Sequence, residues 1–174
     1  MSVASAGSAK PSAPVETRSF LIDEAKLAVE LPPRWRLVRR EVEDVSAIQY
    51  GFEREPVQGR GGHVARPYVG VIVKPLAPEE RNDVIAFSTL CRARVPFEVI
   101  RVFTRRDGIL GLQNAIGYRG RTQYEGNTHE IFVVHALFRD KGITIIMDTT
   151  TEVFQEVERE LLQTLVSFRH VENP

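Results

Sequence analysis

The chain has little that could carry chemistry on its own. It contains one cysteine, Cys91, in 174 residues, so no internal disulfide can form. No apolar run reaches the roughly 18 residues that a membrane-spanning helix needs. Twenty-three basic residues cancel 23 acidic ones. There is thus no global field drawing the chain to nucleic acid or to an anionic membrane. Lysine is scarce, at only four positions, Lys10, Lys26, Lys74 and Lys141. There is no Cys-x-x-Cys, no acidic calcium loop, no G-x-S-x-G and no G-x-x-x-x-G-K. The glycines at 59, 61 and 62 open no helix, so they read as a loop over residues 56–66 and not as a phosphate cradle. No cofactor and no metal is implied, and no catalytic residue is expected.

What is present is an apolar content of 43%, ordinary for a globular chain of this length. Residues 1–16 are rich in Ala, Ser and Pro and have no periodicity. They are expected to form a flexible linker, of the kind that follows an export signal or lipid anchor, or else an ordinary disordered terminus. Residues 17–174 are expected to form a single α+β domain.

The chain is organised around residues 128–168. Residues 129–138 are apolar on both parities, with Ile131, Val133 and Leu137 on one side and Phe132, Val134, Ala136 and Phe138 on the other. A strand apolar on both faces belongs in the centre of a sheet. Gly142 is expected to supply a left-handed turn, and residues 143–148 return. A helix follows, with Thr149-x-x-Glu152 as a capping box and Thr151 as a rival cap. Phe154, Val157, Leu161, Leu165 and Phe168 form its buried stripe.

Upstream, short strands are expected over residues 18–22, 26–31, 34–38, 46–54 and 67–74. Trp35, after Pro32-Pro33, reads as a packing anchor. A helix is expected from Pro78, with Val84, Phe87, Leu90, Cys91 and Val95 sharing its buried face and Pro96 stopping it. Strands over 99–103 and 112–124 come next, with Gly117 and Gly120 marking a bulge or bend. Strands and helices do not alternate. The expected architecture is therefore α+β, an antiparallel twisted sheet of about six to eight strands flanked by helices.

This layout resembles the PsbP-like or Mog1-like sandwich, a fold that includes small bacterial lipoproteins of the DcrB type. The residues carrying the resemblance are Leu31-Pro32-Pro33-Arg34-Trp35 and Leu165-Val166-Ser167-Phe168. The resemblance spans residues 18–170. It implies a protein partner, no shared catalytic site and no transferable functional residue. Fold alone does not give function.

Few residues are candidates for a site. His129 and His135 share a strand face but stand about 20 Å apart, too far to ligate one ion. His135 reads as a hydrogen-bonded core histidine, and Cys91 as a small buried hydrophobe. The pairs Glu79-Glu80 and Glu158-Glu160 read as solvated helix faces. Arg119, Arg121 and Gln123 project from one strand face, the two arginines about 7 Å apart. They form either an anion or acidic-partner site, or a solvated face paired with nearby acids.

Three functions stay open. The leading one is a non-enzymatic protein-binding or accessory domain of an exported or lipid-anchored bacterial protein, in the periplasm or facing outside the cytoplasm. The others are a cytoplasmic chaperone or adaptor, and a small-molecule binder with a pocket between sheet and helix.

Overall fold

The computed structural model describes residues 16–43 and 47–171. The expected linker over residues 1–16, all but Glu16, lies outside them, as does Ser46. The strands are β1 (Arg18–Ile22), β2 (Leu27–Leu31), β3 (Trp35–Glu43), β4 (Ala47–Arg54), β5 (Val57–Gln58), β6 (Val64–Ala65) and β7 (Tyr68–Pro75). After helix α1 (Val84–Arg94) come β8 (Glu98–Phe103), β9 (Ala115–Tyr124), β10 (Asn127–Phe138) and β11 (Lys141–Thr150). Helix α2 (Thr151–Ser167) and the short β12 (Arg169–His170) end the chain.

Seven strands form one antiparallel sheet in the order β3-β4-β7-β11-β10-β9-β8. β1, β2 and β12 form a smaller one. The architecture is α+β, as the pattern of strands and helices implied. β10 and β11 sit at the middle, where strands apolar on both faces belong. Phe132, Val134 and Ala136 of β10, with Ile143, Ile145 and Met147 of β11, join the main core. In it α2 and β2 cover one face of the large sheet. Val153, Phe154, Val157, Leu161, Leu165 and Phe168 are all buried there. Each such side chain contributes about 1.5–3 kcal/mol before entropy. Ile131 and Val133 point the other way, into a second cluster with Tyr118, on the face where α1 packs against β9 and β10.

Several local expectations are corrected. The β10–β11 turn uses Arg139 at φ 54, while Gly142 is already paired with Leu137 inside the ladder. Gly142 is needed for space instead. A Cβ there would fall 2.6 Å from Phe87 Cζ, on α1. The cap of α2 is Thr150, with no side-chain cap bond, and Thr151 Oγ1 donates to the carbonyl of Thr128 at 3.0 Å. Neither the Thr149 box nor the Thr151 cap forms, because Thr149 is still paired with Glu130 in the β11 ladder and Thr151 is already the first residue of the helix.

The mid-chain helix begins at Val84, behind a 3-10 turn at Pro78–Glu80, and Asp83 caps it by accepting from Ile85 N at 2.8 Å. Leu90 of α1 and its C-cap Val95 are exposed, and the buried face of the helix centres on Ser88. Residues 112–114 precede β9. Its ladder with β10 is unbroken through Gly117 and Gly120, so neither glycine makes a bulge there. The irregularity lies in β8, between Val99 and Arg101. Residues 56–66 contain the small hairpin β5–β6. β2 is buried at four of five positions and does not alternate.

Glu160 is no solvated acid. Its Oε1 accepts from the Trp35 indole at 2.9 Å, and its Oε2 takes Arg54 Nε at 2.8 Å.

Candidate functional site

The antiparallel register puts directly opposed residues on one face. On β9 and β10, Arg121 faces Glu130 and Gln123 faces Thr128. On the outer side of β9, Arg101 of β8 faces Arg119, and Glu98 faces Arg121. Arg101, Arg119, Arg121 and Gln123 therefore line the face opposite α1.

Arg119 and Arg121 converge on Glu130, whose side chain is buried at 3% exposure. Arg121 Nε donates to Glu130 Oε1 at 2.8 Å. Arg119 Nε lies 3.6 Å from Oε2, and its Nη1 lies 3.8 Å from Glu158. The Arg119 guanidinium also sits 4.6 Å over the Phe154 ring of α2. A carboxylate this buried needs its charge partners. Arg119 is thus largely committed to the fold, while Arg121 keeps 46% of its side chain exposed. Gln123 Nε2 donates to Thr128 Oγ1 at 2.9 Å.

The β8 edge lies beside this row. β8 ends the seven-stranded sheet, and among the described residues no strand pairs with its outer side. Ile100 and Val102 are 42% and 47% exposed. Arg101 reaches Asp107 at 3.3 Å through a mostly exposed guanidinium.

The α1 face carries a second feature. A cleft of about 240 Å³ opens between the C-terminal half of α1 and strands β7, β11, β10 and β9. Ile72, Ile131, Val133 and Ile146 supply much of its lining, and Val95 and Phe97 stand on the helix side. His135 also lines it, though the residue is only 2% exposed.

His135 Nδ1 meets Ser88 Oγ at 2.7 Å, and Ser88 Oγ meets the Tyr118 hydroxyl at 2.7 Å. Only one proton assignment uses every buried hydroxyl. Tyr118 donates to Ser88, Ser88 donates to Nδ1, and the ring proton sits on Nε2. The reverse order would leave the Tyr118 proton without an acceptor. Burial, with the Arg92 charge behind it, lowers the His135 pKa to about 4, so the ring is neutral. Arg92 lies 4.9 Å over the Tyr118 ring. Burial likewise raises the Cys91 thiol above its ordinary value.

His129 and His135 occupy separate environments. His129 Nδ1 lies 2.6 Å from Asp148 Oδ1, and its ring packs edge-on to Tyr124. Among the described residues no three His, Cys, Asp or Glu side chains gather as a metal site would require. The sequence reading missed Glu130 and Ser88. Glu130 was visible only as the neighbour of His129. The signal for Ser88 was a polar residue one step from Phe87 on the packing side of an apolar helix.

No protein-family model and no curated protein matches the sequence. Solved structures do. The chain is similar to the Ran-binding protein Mog1p of Saccharomyces cerevisiae, at 15% identity and a TM-score of 0.55. That likeness covers 91% of this chain and 97% of the other. It is similar too to cyanobacterial PsbP (CyanoP) of Synechocystis sp. PCC 6803, at 14% identity and a TM-score of 0.54, over 95% of this chain and 98% of that one. At such identities the likeness speaks for architecture alone: the chain has the Mog1/PsbP-like fold.

Proposed function

We propose that the chain is a non-enzymatic protein-binding accessory domain that takes up an extended segment of a partner along β8. The observation supporting this is the open edge with two unlike sides. Val102 lies in register with Tyr118, on the α1 face, and Arg101 with Arg119, on the other. The bulge between Val99 and Arg101 sets Ile100 outside the register. A strand added there would place alternate side chains beside Val102 and beside Arg101. The segment that fits alternates apolar and acidic residues. Arg121 and Gln123 continue the polar side inward, with Arg119 fixed beneath them. The exposed pair Arg101–Asp107 holds little energy and yields readily to a partner carboxylate.

The Ala-, Ser- and Pro-rich residues 1–16 support a tethered domain outside the cytoplasm, in an exported or lipid-anchored bacterial protein. Fractionation of source cells producing the tagged chain tests this. Recovery in the cytoplasmic fraction would contradict it.

The binding surface is tested by a photo-crosslinking residue placed at position 102 in source cells. Val64, 58% exposed on the β5–β6 hairpin, serves as the control position. A protein captured at 102 and not at 64 is the expected result. Equal capture at both positions would count against the edge.

A further inference from the structure

The cleft under α1 takes no part in the partner surface, which follows the β8 edge; neither Arg101 nor Val102 lines the cleft. It joins an apolar interior to a few convergent polar groups, the pattern of a ligand site. At about 240 Å³ it lies below the roughly 300–1,000 Å³ of drug-sized pockets, so its occupant is small.

The polar groups define the head of that occupant. His135 Nδ1 is held by Ser88, so Nε2–H is the ring atom left for the cleft. A nearly buried N–H donor in apolar surroundings calls for an acceptor. Arg94, exposed on the last turn of α1, lines the same cleft. Among the described residues it has no ion pair of its own. Arg92, over the Tyr118 ring, adds a second positive charge that His135 feels. The one acid in the lining, Asp148, is hydrogen-bonded to His129 and lies opposite Ile131, four residues along β10 from His135. The remaining field favours an anion.

We propose that the cleft binds a small apolar carboxylic acid, with its carboxylate received by His135 Nε2–H and Arg94 and its hydrocarbon or aryl body against Ile131, Val133 and Ile146. The role is binding and not acyl transfer. Ser88 Oγ is wholly buried and lies on Nδ1, the side of the ring turned away from the acceptor position.

Phenylacetate is a suitable probe, with phenethylamine as the match of similar body and opposite charge. Two readouts on the full chain need no variant. One is the imidazole resonance of His135. The other is the alkylation rate of Cys91, the only cysteine, which also lines the cleft. Phenylacetate is expected to shift the resonance saturably, with a Kd of about 1 mM or tighter, and to slow alkylation. Phenethylamine is expected to do neither. Arg94→Gln, a surface change, should weaken phenylacetate about ten-fold. Ile146→Trp should fill the cleft and abolish the shift. The proposal is overturned by a linear, non-saturating response, by equal effects of the amine, or by unchanged binding in both variants.

Discussion

Trp35 and Glu160 stand 125 residues apart and meet in one hydrogen bond, indole Nε1 to carboxylate Oε1 at 2.9 Å. The bond ties the start of β3 to α2. Glu160 also holds Arg54 of β4, and Trp35 itself is fully buried. Replacing Trp35 by Phe removes the donor and part of the ring. Trp35→Phe should cost about 2–4 kcal/mol in urea unfolding. A loss under about 0.5 kcal/mol would mean that the indole is not the anchor described.

The buried histidine makes stability depend on pH. The folded pKa of His135, about 4, lies below the ordinary value of 6.5. As pH falls, the unfolded chain therefore takes up the proton first. The stabilisation is complete above about pH 6.5 and declines until about pH 4. Between pH 7.5 and 5 it should fall by about 2 kcal/mol. His170 is shifted in the same direction by burial, so the comparison must be with His135→Gln across the same range. The wild-type protein should lose about 2 kcal/mol more than the variant. Equal losses would contradict a neutral, buried His135.

Gly142 is a position where space decides. A Cβ would meet Phe87 Cζ at 2.6 Å and Leu76 Cδ1 at 3.1 Å. Gly142→Ala should destabilise by about 1–3 kcal/mol. Phe87→Leu should relieve much of that loss in the double variant, read from the same unfolding curves. Additive losses would show that the ring is not what the methyl meets.

Cys91 should be a slow thiol. Burial raises its pKa, and only the thiolate attacks. Its alkylation at about pH 8 should run at least ten-fold slower than in the urea-unfolded chain. Matching rates would place Cys91 in open solvent.

The large elements were legible because their signals are redundant. The double-sided apolarity of residues 129–138 placed β10 near the centre of the sheet, and the stripe from Phe154 to Phe168 gave the packing face of α2. Single-residue signals failed where tertiary contacts overrode them. Gly142 looked like a turn residue, yet it is kept bare by Phe87, more than fifty positions away. Glu160 looked solvated, because nothing local announces Trp35 and Arg54. In α1, Leu90 and Val95 fitted an apolar stripe but lie outward, since the sheet face beneath the helix offers His135 and Tyr118, and Ser88 meets both. On β9 the alternation put Arg119 and Arg121 on one face, but only the register with β10 showed Glu130 between them. The β8 edge could not be recognised as an edge until the strand order was known.

The most direct measurement is the affinity of the protein captured at position 102 for the purified chain, set beside Arg101→Glu and Val102→Lys. Both residues are exposed at the edge, Arg101 with its guanidinium over the Phe103 ring. Strand addition predicts that each change weakens binding about ten-fold or more while circular dichroism stays unchanged. Undiminished affinity in both variants would contradict a partner seated on β8.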